Sequence, residues 1–184
     1  MSLPERIASR PVILRALRPA DAPRVLELCG DWEVARMTAL VPHPYLPGMA
    51  ESWIAATQAE QATGTAFTYA ITRGDDGLLV GAITLATSAD GPNALGYWVG
   101  RPHWGNGYAT AAARGLIALA FAQRGIDKLG AIHLARNPAS GRVLAKCGMT
   151  EVRRESRPHR GGSPEAFRVW SLRREAWANM THAS

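Results

Sequence analysis

The stretch Leu95-Gly96-Tyr97-Trp98-Val99-Gly100-Arg101-Pro102-His103-Trp104-Gly105-Asn106-Gly107-Tyr108-Ala109-Thr110 constrains this chain more than any other. Leu95 to Val99 reads as a strand, and the glycines and Pro102 break it into a turn. The Ala-rich run from Gly105 to Gln123 then reads as the longest helix, with Leu116, Leu119 and Ala120 as its apolar stripe and Gly125 as its stop. A strand that feeds a long helix through a glycine turn requires a sheet with a helix packed on it. The turn also predicts a phosphate site. The first N–H groups of the helix are unpaired within it and sit at the positive end of its dipole, beside backbone that glycines let a ligand approach. Two phosphate motifs fail here: the dinucleotide fingerprint needs a third glycine where Thr110 stands, and the P-loop Gly-Lys-Ser/Thr is absent.

The remaining elements follow from period and punctuation. Pro11 to Leu17 is β-branched and reads as a strand. Asp21 opens a helix with Val25, Leu26 and Leu28 on one face, and Gly30 stops it. Asp31 to Met37 adds a further helical turn or two. Three prolines in Val41 to Gly48 forbid helix and make a shaped loop. Met49 to Ala62 is helical, Phe67, Tyr69 and Ile71 alternate as a strand, and Gly74-Asp75-Asp76-Gly77 turns the chain into a second strand from Leu78 to Thr87. Leu129 to Leu134 is a strand, Pro138 to Lys146 a helix closed by Gly148, Met149 to Arg153 a strand, Arg157 to Pro164 a loop and Phe167 to Leu172 the last strand. The order β-α-α-loop-α-β-β-β-α-β-α-β-β predicts a mixed α/β fold whose sheet is only partly parallel. With 184 residues, no repeat and no linker, the expectation is one domain over 1–184.

No apolar run reaches the roughly 18 residues that cross a bilayer, and Met1 to Arg10 lacks a signal-peptide core, so a soluble, cytoplasmic protein is expected with no membrane partner. Cys29 and Cys147 match no metal or redox spacing, and no metal is expected. Residues 1–100 carry seven arginines against ten acidic residues, for −3, whereas residues 101–184 carry fourteen basic residues against five acidic ones, for +9. The basic half is expected to face an anionic ligand. Nucleic acid is the first ligand such charge suggests, but no helix-turn-helix, zinc or aromatic-basic motif accompanies it, and it is set aside.

Asn137-Pro138-Ala139-Ser140 is the second constellation. Asn137 suits a helix N-cap and Pro138 a first helical position, so capping explains both, and Ser140 in a first turn is unremarkable by itself.

Taken together, these segments resemble the GCN5-related N-acetyltransferase (GNAT) superfamily, in particular its RimJ/RimL-type ribosomal-protein N-terminal acetyltransferases. The similarity rests on Ile13 to Asp21, Val41 to Tyr45, Gly96 to Val99 through Thr110, Asn137 to Leu144 with Lys146 to Met149, and Val169 to Leu172, in the right order over nearly the whole chain. The resemblance implies a central V-shaped, mostly antiparallel sheet of about seven strands flanked by helices. It implies acetyl-CoA as co-substrate, bound where the strand ending at Val99 splays from the one ending near Leu134. The family's Gln/Arg-x-x-Gly-x-Gly/Ala pyrophosphate motif falls on Trp104 to Ala109, so Arg101, Gly105, Asn106, Gly107, Tyr108, Ala109 and Thr110 are implied as cofactor-binding. Val99 is implied to pair with pantetheine and to polarise the acetyl carbonyl with its N–H, Asn137 to touch pantetheine and Ser140 to lie near the sulfur. His43 and Tyr45 border the acceptor side.

The implied activity is acetyl transfer to a primary amine, with a protein or peptide α-amine leading. A small amine (polyamine, amino acid or aminoglycoside) is the alternative, as is a coenzyme A-binding module without turnover; a homodimer is left open. Two departures bear on this. Leu144 stands where many relatives carry a tyrosine general acid, which leaves Ser140 as the better donor to the leaving thiolate, and Ala111 stands where relatives often carry glutamate. The general base is unassigned. His43 and His103 are the nearest histidines, while His133 reads as packing and Cys147 as a small buried apolar residue.

Overall fold

The computed structural model describes residues 4–87 and 93–182. Its strands are β1 (Arg6–Ser9), β2 (Val12–Ala16), β3 (Ala66–Arg73), β4 (Leu79–Ala86), β5 (Asn93–Val99), β6 (Lys128–Leu134), β7 (Thr150–Pro158) and β8 (Pro164–Arg173). Its α-helices are α1 (Ala22–Cys29), α2 (Trp32–Met37), α3 (Met49–Thr63), α4 (Tyr108–Gln123), α5 (Pro138–Lys146) and α6 (Arg174–His182). The strands form one sheet in the order β1-β2-β3-β4-β5-β6-β8-β7, antiparallel at every pairing except β5–β6. The mixed, mostly antiparallel sheet is the expected one, with eight strands instead of about seven.

The parallel pairing sets up the site. β5 and β6 pair only through Asn93 to Leu95 against Leu129 to Ala131. Beyond that, Gly96 to Val99 stay paired with β4 and Ile132 to Leu134 with β8, but the two runs do not pair with each other. The arms diverge into a V, open toward the C-terminal ends of β5 and β6.

Both sheet faces are covered, which explains why β3 and β4 are buried almost throughout. One face buries Leu14, Ile71, Ile83 and Leu95 with Leu116 and Ile117 of α4 and Leu144 of α5. The other buries Leu17, Ala70 and Leu79 with Val25 of α1, Ala35 of α2 and Ile54 of α3.

Four expectations need correction. α4 starts at Tyr108, not Gly105, because Gly105 and Gly107 hold φ of +81° and +76°, outside the helical region. β1 was not expected; Ile7 is its one large apolar residue, and the strand is held by pairing to β2 and by Ser9 Oγ donating to the Ala111 carbonyl at 2.7 Å. Gly115 admits this contact, since a Cβ there would lie 2.8 Å from the Ser9 side chain. The expected loop Arg157 to Pro164 is mostly hairpin, with β7 running to Pro158 and β8 starting at Pro164. α6 was also unexpected; its Trp177 packs against Phe121 of α4.

The entry to α1 is locked by a buried ion pair. Asp21 accepts two hydrogen bonds from the Arg15 guanidinium, both at 2.7 Å, and one from the Arg18 N–H at 2.8 Å. Burial by itself would raise the Asp21 pKa, but the hydrogen bonds from Arg15 and Arg18 outweigh it and hold the carboxyl below its ordinary value. An acid depressed by folding stabilises the folded state above its unfolded pKa, near 3.9, and that contribution fades as pH falls through the folded value. Asp21→Asn is therefore expected to cost about 1 kcal/mol at neutral pH. Melting curves of the variant and the parent should converge below about pH 4; a gap that persisted in acid would dismiss the ionic origin.

Candidate active site

The edge of β5 that faces the gap carries usable backbone groups. Gly100 N–H donates to the Val80 carbonyl at 2.8 Å, so strand alternation turns Gly96 and Trp98 toward β4, and Tyr97 and Val99 toward the gap. The Val99 N–H thus faces the opening. Its carbonyl accepts from Trp104 Nε1 at 2.6 Å, so the indole folds back from the glycine turn onto this edge.

Beyond Val99 comes a turn of 3-10 helix, Arg101–His103, and then the N-terminus of α4. Gly107 is the N-cap and offers no side chain, so the N–H groups of Tyr108, Ala109 and Thr110 have no partner within the helix and no side-chain cap. Asn106 shapes the turn, its Nδ2 donating to the His103 and Trp104 carbonyls at 3.2 Å each. Arg101 is exposed and acts electrostatically on Glu33 of α2. His103 Nε2 lies 2.8 Å from Arg24 Nη2. Burial, and then the Arg24 charge, lower the His103 pKa, so the ring is neutral and its Nε2 lone pair is taken by the guanidinium. That removes His103 as a candidate base.

Across the gap, α5 presents its first turn. Asn137 is its N-cap: Oδ1 accepts from the Ser140 N–H at 3.1 Å and Nδ2 donates to the Met37 carbonyl of α2 at 2.9 Å. Both ends of the amide are engaged, so Asn137 ties α5 to α2. The Ser140 hydroxyl lies 2.9 Å from the Tyr97 hydroxyl, which also donates to the Ser140 carbonyl at 3.0 Å. No motif in the sequence marks Tyr97 for a role in the site. The available signal was its period-two placement with Leu95 and Val99, which puts all three side chains on the face that α5 covers. Leu144 is buried in the core. Cys147 is also buried, and burial pushes its thiol up to about 11, as a packing residue requires. His133 is buried beside Trp170, its Nδ1 2.8 Å from the Leu134 carbonyl.

α2 lies against both arms from the other face, and the proline loop follows it onto the α1–α3 core. The carbonyls of the helix's last turn are short of helical partners, that of Ala35 accepting from the Thr38 N–H at 3.2 Å. They are met by side chains from the far arm: Arg160 Nη2 donates to Ala35 at 2.8 Å and also to Val41, Arg136 Nε to Arg36 at 3.0 Å, and Asn137 to Met37. With Glu33 near Arg101 at one end and Met37 on Asn137 at the other, α2 spans both arms. His43 packs on Trp32 with ring centroids 4.9 Å apart and the planes tilted by 55°. Tyr45 packs on the α1–α3 core, where burial raises its phenol to about 12.

Part of the basic half is engaged in ion pairs. Arg153, Arg154, Arg157 and Arg168 pair with Glu151 or Glu155 along β7 and β8, Arg136 pairs with Glu165 and Arg174 with Asp127. No group of three or more His, Cys, Asp or Glu residues could hold a metal among the described residues.

The residues present suit coenzyme A: an open strand edge for the amides of an extended thioester arm, ending at helix N–H groups left free for phosphates. The comparisons agree. A family model described as acetyltransferase (GNAT) domain matches residues 12–150. The uncharacterized protein YkkB of Bacillus subtilis is 46% identical over 55 residues, a match that spans 30% of this chain and only 32% of that protein. The uncharacterized N-acetyltransferase YoaA of the same organism is 27% identical over 165 residues, 88% of this chain and 92% of that one. Among solved structures, Mycobacterium smegmatis RimJ in complex with CoA-disulfide superposes with a TM-score of 0.84 at 21% identity, covering 100% of this chain and 97% of that one. With its sheet, its splayed arms and a family match over most of its length, the chain belongs to the GNAT family of acetyl-CoA-dependent N-acetyltransferases.

Proposed function

We propose that the chain acetylates the α-amine of a protein or peptide at the gap between β5 and β6. The observation that carries the acceptor class is the apolar surface of α2 and the proline loop. Trp32, Leu40 and Leu46, in and around the proline loop, are 49%, 92% and 54% exposed. Apolar surface of that extent on α2, which reaches Asn137 through Met37, and on the loop after it suits the side chains that follow a peptide's first residue, and a small polyamine would leave it uncovered. The fold of RimJ points the same way.

Bound acetyl-CoA supplies an activated thioester. The chain's part is placement and polarisation. The α4 N–H groups behind Gly107 hold the phosphates, with Arg101 beside them. The Val99 N–H gives a hydrogen bond to the acetyl oxygen as charge grows on it. Ser140 gives a hydrogen bond to the departing sulfur, and Asn137 holds the α5 turn against α2. His43 and Tyr45 shape the acceptor side, and the amine reacts in its neutral form.

Two measurements test the acceptor half. His43→Ala removes the ring packed on Trp32 and is expected to raise the acceptor KM by about three- to tenfold, the worth of an aromatic contact, with the acetyl-CoA KM changing far less. Tyr45→Phe, which keeps the packing, should do the same more weakly; equal shifts in both KM values would move these residues out of the acceptor site. A screen of peptides with varied N-termini against polyamines and aminoglycosides, read by thiol release, should favour peptides with an apolar second or third residue. Turnover on a small amine with none on any peptide would discard the peptide acceptor and leave acetyl transfer intact.

A further inference from the structure

We propose that Tyr97 is the positioning residue for Ser140, holding the serine hydroxyl toward the gap from the opposite arm of the V. The inference rests on the role given to Ser140 above.

A serine in the first turn of a helix ordinarily turns its hydroxyl to water or back to a carbonyl three or four residues earlier. Ser140 does neither. Its Oγ lies 2.9 Å from the Tyr97 hydroxyl, and the same phenol reaches the Ser140 carbonyl at 3.0 Å. One phenol thus grips both oxygens of one residue, which fixes the position of the α5 turn and the rotamer of the hydroxyl together. Tyr97 stands on β5 and Ser140 on α5, which follows β6, so the contact bridges the arms beyond Leu95, where the ladder between them has ended. Tyr97 also lies two residues before Val99 on the same edge and face of β5. The strand that presents the Val99 N–H therefore also places the Ser140 hydroxyl, and the two donors keep a fixed relation even though they sit on separate arms.

The phenol carries one proton and has two places to send it. When it donates to the Ser140 carbonyl, the serine proton is held on the phenol oxygen. When it donates to Oγ, the serine proton is released toward the gap, where it is free to bond a sulfur carrying growing negative charge. Burial raises the Tyr97 pKa and the hydrogen bond to Ser140 offsets only part of that, so the phenol stays protonated and remains a donor at working pH. Leu144, one turn further along α5 and buried, offers no alternative hydroxyl.

The test is a double-mutant cycle on kcat at saturating substrates, normalised to folded protein. Tyr97→Phe keeps the ring and removes only the hydroxyl, so a melting curve should show a folded protein. We expect Tyr97→Phe to lower kcat by about tenfold, as Ser140→Ala does, with the acetyl-CoA KM moving by less than about twofold. We expect the double variant to be no slower than either single variant, because two groups acting as one unit are lost only once. A purely structural tyrosine would lower the melting temperature or raise KM and leave kcat per folded molecule alone. If Ser140→Ala slows the reaction and Tyr97→Phe does not, the positioning role is wrong and the reading of Ser140 stands. Losses that multiply in the double variant would show that Tyr97 acts apart from Ser140, which also overturns the proposal. If neither variant slows the reaction, Ser140 has no part in it and the inference falls with that reading.

Discussion

Acetyl-CoA at about a hundred times its dissociation constant is expected to stabilise the protein by about 2.7 kcal/mol, and Gly107→Val is expected to remove that gain. For a chain of this length the gain reads as a rise in melting temperature of roughly 5 to 10 °C. Gly107 holds φ +76°, and a Cβ built there meets nothing within 4 Å, so the added Cβ itself has room. Its effect is on the backbone. The left-handed conformation costs an L-residue roughly 1 to 2 kcal/mol, and relief of that cost turns the N–H groups behind it away from the position in which they converge on an anion. Because the substitution also lowers stability without ligand, it needs a control of equal backbone cost. Gly125, at the other end of α4, has φ +63° and is equally open. Gly125→Val should lower the unliganded melting temperature and keep the full acetyl-CoA shift. Survival of the shift in Gly107→Val would mean that the phosphates lie elsewhere.

The second large effect is expected at α5. Ser140→Ala should lower kcat by about tenfold or more at nearly unchanged stability, since among the described residues its hydroxyl bonds Tyr97 alone and its N–H bond to Asn137 is kept. Asn137→Ala should behave differently. The loss of an N-cap costs about 1 kcal/mol, and the lost bond to Met37 releases α2, so the acceptor KM should rise with it. A selective rise in acetyl-CoA KM would instead restore Asn137 as a direct pantetheine contact. An unchanged kcat in Ser140→Ala would leave that residue as part of the α5 turn and nothing more.

The sequence carried the middle of the molecule well because the strong signals lie there: alternation in β3 to β5, the Gly74 to Gly77 turn, the glycine turn before α4 and the Asn-Pro start of α5. What escaped it depends on tertiary contacts. β1 has one large apolar residue and exists because β2 offers it an edge. The boundary of α4 was misjudged because Gly105 and Gly107 look like any helix start until their left-handed φ values are known. The splay of β5 from β6 has no local signature; it was expected from the family resemblance alone, and the end of the ladder at Leu95 locates it. Within the site, the glycines, Val99 and Ser140 could be nominated from motif and order. The three side chains that cap α2 could not, since Arg136, Asn137 and Arg160 act on carbonyls about 100 or more residues away. The charge asymmetry is partly accounted for in the same way: six of the fourteen basic residues it counts are matched to Glu151 and Glu155 or bonded to α2 carbonyls.

Release of free thiol from acetyl-CoA, followed with and without a primary amine, separates transfer from binding alone. The protein is expected to release little thiol by itself and to release it in proportion to added peptide, with the peptide gaining one acetyl group on its α-amine by mass. Gly107→Val should lose both binding and release, and Ser140→Ala should lose release while keeping binding. If acetyl-CoA raises the melting temperature but no amine, peptide or small, increases thiol release, the gap between β5 and β6 is a binding site without turnover and acetyl transfer there is contradicted.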